Sequence, residues 1–437
     1  MAVSEDRDSI LRESIGATLV EEESEGLWIP RDKIPDCNMQ RESALFKKGI
    51  TSFRQLFSAR DLLALGRLRA LILKRDDEVR EWLLFAFSST LRYTNRMVTR
   101  NPAWRGNRPL EWAKPGFWLP AVYLEVNVFE EFRRRCSAIS SGKKDTQKGL
   151  IGNPDESRAI ESILGSSSPS FYVETRSSTR MPLPNESIDA IITDPPYGSY
   201  VHYADLSNFW TVWLPREIEG MGTTIDDGEE AVIARKRFPK AKSPEDYQRL
   251  LEACFRECGR VLKPDGYMVM TFHNREPRAW AALLVAATRA GFELPEGGVF
   301  FQSGVENYRH TAQSRRAGSI FGDFVLSFKK PVNQARLKFT VPSVQGPSLQ
   351  EEIVNSIREI LADRGPLTPN ELMTRLYTRI HGPLLRRVQS AVAQGEKETS
   401  SLISELSDIQ LLDSHQRQLL EKHFLYSEGL WMNPELE

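Results

Sequence analysis

Apolar positions recur every three or four residues through the stretch 46–140, the spacing of helices that bury one face. Residues 61–74 carry Leu62, Leu63, Leu65, Leu68, Leu71 and Leu73, and residues 78–91 carry Trp82, Leu83, Phe85 and Phe87. Upstream, residues 1–45 are polar, acidic and interrupted by Pro30 and Pro35. They read as an extended arm with a short strand at Leu27–Ile29. Residues 101–116 are turn-rich, 118–132 read as strand and then helix, and 140–147, rich in Ser, Gly and Lys, read as a linker.

Beyond residue 148 the pattern alternates. Residues 171–174 form a short strand, and 188–193 form an apolar strand that ends at Asp194. An amphipathic helix follows over 243–262. Ser243 is its N-cap, Pro244 stands in its first turn, and Glu245 and Asp246 lie near its positive end. Tyr247, Leu250, Leu251, Cys254, Phe255, Cys258 and Leu262 make its apolar stripe. A turn at 263–266, a strand over 267–272, a helix over 276–290 stopped by Gly291, and strands at 299–302 and 324–328 complete the region. This order predicts an α/β domain with a mainly parallel sheet covered on both faces. After residue 331 the pattern turns helical again, at 349–363 and from Pro366 to about residue 380. A small hairpin at 424–432 gives this end a loosely winged-helix-like character. The expected organisation is therefore an arm (1–45), a helical region (46–147), an α/β domain (148–330) and a small helical domain (331–437).

The 437 residues suffice for two or three domains, and 40% hydrophobic with 27% charged residues is ordinary for a globular chain. A net charge of −1 excludes a global basic field, so any basic surface must be local. Candidates are Arg133–Arg135, Arg235–Arg237 with Lys240 and Lys242, and Arg315 with Arg316, each more simply read as a solvated face. Four cysteines without a Cys-x-x-Cys pair argue against a zinc site, and no metal is expected. Few cysteines, no signal peptide and no apolar run of about 20 residues point to a cytoplasmic setting.

The chemically informative segment is Asp194-Pro195-Pro196-Tyr197. It lies just past the carboxyl end of a strand, where open parallel sheets bind ligands. The Asp194 carboxylate and the Pro195 carbonyl are both acceptors. Together they can take the two N–H groups of a planar exocyclic amine, pull its nitrogen toward tetrahedral geometry and free its lone pair. Pro195 and Pro196 fix φ and remove donors, so the loop is stiff. Tyr197 offers a face on which a flipped base can stack. The plainer reading is a turn after a strand; the apolar strand before it and the βα pattern after it favour chemistry.

The motif resembles that of the Asp-Pro-Pro-Tyr amino-methyltransferases. Residues 198–214 are similar to the large adenine-specific DNA methylases, through Tyr203, Leu206, Ser207, Phe209, Trp213 and Leu214. The resemblance extends more weakly upstream, to Gly49-Ile50-Thr51, to residues 56–65 and to Glu125-Val126-Asn127, and so spans about 45–330. It implies a Rossmann-like, S-adenosyl-L-methionine-dependent methyltransferase sheet acting on the exocyclic nitrogen of adenine in DNA. It also implies that His202, Tyr203 and Asp205 join Tyr197 on the target-base side. Phe209, Trp210 and Trp213 are more simply read as core.

The chain departs from that family in lacking a glycine-rich cofactor loop before the motif strand, and in lacking a zinc ribbon. The sheet is therefore expected to be incomplete and to leave an exposed edge. A second polypeptide supplying the missing loop would make a split enzyme. Asp194 with Ser177, Ser178 and Thr179 would then line the other wall of the cofactor pocket. Glu125 on a strand at 122–127 is a weaker candidate for the cofactor ribose. Rival functions are an RNA amino-methyltransferase and a non-catalytic recognition subunit.

Overall fold

The computed structural model describes residues 2–100, 109–110, 116–149, 155–156, 163–164, 170–174, 176–216, 228–234, 241–274, 276–304, 320, 322–332, 347–408 and 418–434. The chain forms two compact units. The first comprises Met1–Thr175, Val201–Glu230 and Arg235–Ala241, and the second Arg176–Tyr200, Ala231–Ala234 and Lys242–Glu437.

The first unit is helical: α1 (Ala2–Ser24), α2 (Asn38–Ser43), α3 (Ala59–Leu73), α4 (Asp77–Leu91), α5 (Val128–Gly149) and α6 (Tyr203–Thr211). The expected arm is thus largely a helix. The acidic residues that suggested solvation pair instead with basic ones, Glu22 with Arg67 and Glu23 with Arg54 at 2.9 Å. Residues 27–29 form no strand; they cross α3 at Gly66, where a Cβ would lie 2.7 Å from the Ile29 Cδ1 atom. Ser58 starts α3 with a capping box shared with Asp61, an arrangement contributing on the order of 1 kcal/mol. The stretch read as a linker lies inside α5, where Lys143 sits 4.0 Å from the centroid of the Trp82 ring. Arg133 is exposed and pairs with Glu130, whereas Arg134 and Arg135 pair with the buried Glu131 and Arg135 lies 4.6 Å from the centroid of the Tyr93 ring, so only part of this cluster is a solvated face. The other two basic candidates fall largely outside the described residues.

The core of this unit is aromatic. Phe57 stacks on Phe209 at 5.2 Å, and Trp213 meets Phe57, Phe87 and Trp28 edge-on at 5.3–6.1 Å. The buried Arg69 lies 3.8 Å over the Trp28 ring and donates to the Trp213 carbonyl. Of the three residues more simply read as core, Phe209 and Trp213 are fully buried and Trp210 is half-buried.

The second unit is α/β. A four-stranded sheet has the order β1-β2-β4-β3, with β1 (Ile188–Thr193), β2 (Leu262–Phe272), β3 (Val299–Ser303) and β4 (Gly322–Lys329). β1 is parallel to β2, but β2–β4 and β3–β4 are antiparallel. The sheet is mixed, where a mainly parallel one was expected. Antiparallel neighbours need no helical crossover, and no amphipathic helical pattern separates β3 from β4 in the sequence. Among the described residues β1 pairs with β2 alone, so it forms an edge, and its Ile192 is 87% exposed.

One face of the sheet is built by Met268, Met270 and Phe272 of β2 with Phe324, Leu326 and Phe328 of β4. It shares a core with α7 (Pro244–Val261) and α8 (Pro277–Arg289). Residues 279–287 of α8 are buried all round, the mark of a helix wrapped on every side. Its alanines let neighbours approach, and each buried Leu or Val contributes roughly 1.5–3 kcal/mol. The other sides of α8 meet α10 (Pro369–Gln394) and α11 (Glu396–Asp408). With α9 (Leu349–Arg364) and the hairpin β5 (Leu425–Ser427) and β6 (Leu430–Met432), these helices continue the sheet's core and do not close one of their own. α10 runs through Pro383 to Gln394, well past the end read from the sequence.

His381 of α10 is buried against Trp280 and Phe324, 4.6 and 4.9 Å away between ring centroids. Burial lowers its pKa to about 4. The unfolded chain takes this proton near pH 6.5 and the folded chain near 4. Stability is therefore lost as pH falls through that window. Replacing His381→Leu should remove about 1–2 kcal/mol of the pH dependence between pH 7 and 5, read as the difference in urea unfolding between variant and wild type at the two pH values.

Candidate active site

β1 carries the motif to the end of the sheet. Ile191 pairs with Met268, Ile192 with Val269 and Thr193 with Met270. This register puts Asp194 beside Thr271, the next residue of β2. The Thr271 Oγ1–H donates to Asp194 Oδ1 at 2.8 Å, and the Tyr197 phenol donates to Thr271 Oγ1 at 3.2 Å. Asp194 is exposed, Pro195 is buried, and Tyr197 is half-buried. Burial, and then the neighbouring Asp194 carboxylate, push the Tyr197 phenol well above its usual pKa, so it stays a protonated donor.

Further bonds hold the loop from behind. The Tyr247 hydroxyl, on α7, donates to the Pro196 carbonyl at 2.7 Å, and the Gly198 N–H reaches the same oxygen at 3.1 Å. Asn274 Nδ2 donates to the Tyr197 carbonyl at 3.2 Å. Asn274 is buried and fixed in turn: its side-chain oxygen accepts from the Glu276 N–H, and its carbonyl accepts from Trp280 Nε1. Gly198 has φ +65, and its carbonyl accepts from the Ile233 N–H. The Tyr197 ring meets Phe272 edge-on at 5.4 Å and lies tilted against His273 at 6.3 Å. His273 donates from Nδ1 to the Gly322 carbonyl, which fixes its tautomer. The result is an acceptor corner with an exposed carboxylate and a braced backbone beside an anchored aromatic ring. Such a corner can receive N–H donors and presents none of its own through the two prolines.

The other residues expected at the site are divided between the two units. Ser177 is engaged locally, its hydroxyl 2.9 Å from that of Thr179. The loop holding Ser177 and Ser178 runs into residues bound to the last turn of α7. There Met181 N–H donates to Glu257, and Arg260 donates to the Leu183 and Met181 carbonyls. That is where β1 begins, and Asp194 stands at its other end. Chain direction accounts for the outcome, because a segment leading into β1 arrives at its amino end.

His202, Tyr203 and Asp205 belong to the first unit, at the start of α6. His202 is fully buried, with Nε2 3.3 Å from Glu42 Oε1. Asp205 is buried and accepts the Met39 N–H at 3.1 Å. These two side chains face α2, where the resemblance had them lining an open base site; Tyr203 is 49% exposed. Glu125 pairs with Arg60 at 2.9 Å and lies on no strand. Sequence reading missed Thr271, Tyr247 and Asn274. Tyr247 counted as one more member of an apolar stripe, and nothing in the sequence set Thr271 apart from other strand residues.

Residues 188–340 match a family model described as DNA methylase. This segment runs from the start of β1 past β4 and includes the Asp194 loop. No curated protein matches the chain. Similar solved structures include those of a Thermus thermophilus protein provisionally described as a DNA modification methylase. One of its structures is 14% identical with a TM-score of 0.20, over 40% of this chain and 58% of that one. Another, complexed with S-adenosyl-L-methionine, is 16% identical with a TM-score of 0.19, over 41% and 57%. The chain thus spans little more than half the length of those proteins.

At Gly198 a Cβ would lie 2.8 Å from Asn274 Nδ2. Gly198→Ala should therefore push Asn274 off the Tyr197 carbonyl, in a backbone conformation alanine adopts at a cost. A loss of about 1–3 kcal/mol is expected, measurable as a lowered thermal midpoint.

Proposed function

We propose that the chain is the catalytic-motif subunit of an S-adenosyl-L-methionine-dependent DNA amino-methyltransferase that acts on the N6 amine of adenine. The observation that carries this reading is the Asp194 corner: an exposed carboxylate with one oxygen held by Thr271, on a proline-stiffened loop beside Tyr197. The match of residues 188–340 to the DNA methylase family supports it.

The amine of adenine is a poor nucleophile because its lone pair is delocalised into the ring. In this reading one N–H donates to Asp194 and the other to the Pro195 carbonyl, while the flipped base stacks on Tyr197. The nitrogen is drawn toward tetrahedral geometry and its lone pair becomes available. Asp194 is also the acceptor for the proton that the nitrogen must shed. Preorganised acceptors of this kind contribute through positioning and electrostatics. The bound donor would supply an electrophilic methyl group on a sulfonium. Adenine rather than cytosine rests on the resemblance of the motif, since both amines need the same acceptors.

Among the described residues, those expected to line a cradle for that donor are not gathered at the Asp194 corner. β1 has no partner on its outer edge among the described residues, and Ser177 and Ser178 are tied to the segment entering its far end. We therefore assign the donor-holding elements to a second polypeptide that completes the sheet.

Two outcomes are expected. Asp194→Ala should reduce methyl transfer to adenine in duplex DNA by at least about 100-fold, scored with labelled donor against cytosine-only and RNA acceptors. Unchanged transfer would make the chain a recognition subunit. Calorimetric titration of the purified chain with S-adenosyl-L-methionine should show no micromolar binding. Tight binding together with unaided methylation would overturn the two-chain assignment.

A further inference from the structure

We propose that Thr271 is the positioning residue of this site, setting the orientation of the Asp194 carboxylate and tying it to the Tyr197 ring through one hydroxyl. The proposal rests on the methyltransferase reading for its kinetic consequence, but its structural content stands apart.

A threonine hydroxyl has one proton and two lone pairs. Here Oγ1 accepts from the Tyr197 phenol at 3.2 Å and donates to Asp194 Oδ1 at 2.8 Å. The polarity of this chain is set at its carboxylate end. A carboxylate only accepts, so the Thr271 proton points to Asp194 and the protonated Tyr197 phenol donates to the hydroxyl's lone pair. The single Thr271 proton is thereby committed to Asp194, and consecutive bonds of one polarity strengthen each other.

The carboxylate needs such a support. Asp194 is exposed and lies beyond the last paired residue of β1, so neither packing nor strand pairing holds its carboxylate in one rotamer. Thr271 is held inside β2, paired with Val325 of β4, and its branched Cβ restricts χ1. The position of Oγ1 is therefore set by the sheet. One carboxylate oxygen is occupied, which leaves Oδ2 to face the amine. The same hydroxyl is the anchor of the phenol, so the stacking ring and the acceptor are registered against a single strand residue. The titratable groups around this relay are Tyr197 on the same loop, His273 just past the end of β2 and Asp323 on β4, whose Oδ1 lies 3.6 Å from His273 Nδ1.

The test uses three variants of the full chain: Thr271→Val, which keeps the shape and loses the hydroxyl, Thr271→Ser, which keeps the hydroxyl, and Tyr197→Phe. Crystal structures should show the Asp194 carboxylate in one orientation in wild type and T271S, and rotated or spread over several rotamers in T271V. In a methylation assay of the chain assembled with its second subunit, T271V should lower kcat by about 10–100-fold with KM for DNA changed less than about threefold, and T271S should restore most of it. The double variant T271V/Y197F should be no slower than T271V, because both changes cut one chain. An unmoved carboxylate in T271V overturns the proposal, as does a T271S variant as slow as T271V. If no form transfers a methyl group even when assembled with the second subunit, the functional reading fails, while the crystallographic comparison still decides the role of Thr271.

Discussion

The parallel pairing of β1 with β2 is the constraint on which the site depends. A shift of one residue in this register would turn every side chain of β1 to the other face. It would also take Asp194 away from Thr271 and Tyr197 away from its hydroxyl acceptor. The register is secured by burial, since Ile191 packs with the core that includes Met268, Met270 and Phe272. The core in turn is organised by α8, which is apolar on every side. The corner that presents an acceptor to solvent is thus fixed by residues that never reach solvent. Tyr247 from α7 and Asn274 from just past the end of β2 transmit that rigidity to the loop.

The same arrangement explains why the edge matters. A strand that carries a ligand-facing loop at its carboxyl end ordinarily has parallel neighbours on both sides, and ligands sit in the crevice between their ends. Here one side of β1 is open among the described residues, and Ile192 is left facing outward. An apolar, unprotected edge of this kind is a liability in isolation. It is the physical basis for the proposal that another polypeptide completes the site.

Much of the second unit was legible in the sequence, because its signals are local and strong. The apolar run ending at Asp194, the capped stripe from Ser243, and the apolar alternation of β4 each correspond to an element at nearly the expected bounds. The failures share a cause: tertiary contacts overrode local composition. Ser140-Ser141-Gly142 continue a helix whose Lys143 packs over Trp82, and Pro383 is absorbed within α10, which stays buried along Leu376, Ile380, Leu384 and Val388. The acidic arm is largely helical and packs on α3, with Leu19 buried and its glutamates paired with arginines far along the chain. His202 and Asp205 match a family pattern, yet their side chains serve the packing of α6 with α2. A motif records residue types, and those two types serve a buried polar contact as well as a substrate. Thr271 was unreadable for the converse reason: its importance comes from a neighbour across the sheet, which no one-dimensional spacing encodes.

The most direct measurement is a crystal structure of the protein, with any required second subunit, bound to duplex DNA containing an adenine target. The account predicts an extruded base over the Tyr197 ring, with its exocyclic nitrogen within hydrogen-bonding distance of the Asp194 carboxylate and the Pro195 carbonyl. A target base held elsewhere, with the Asp194 corner closed to it, would contradict the account.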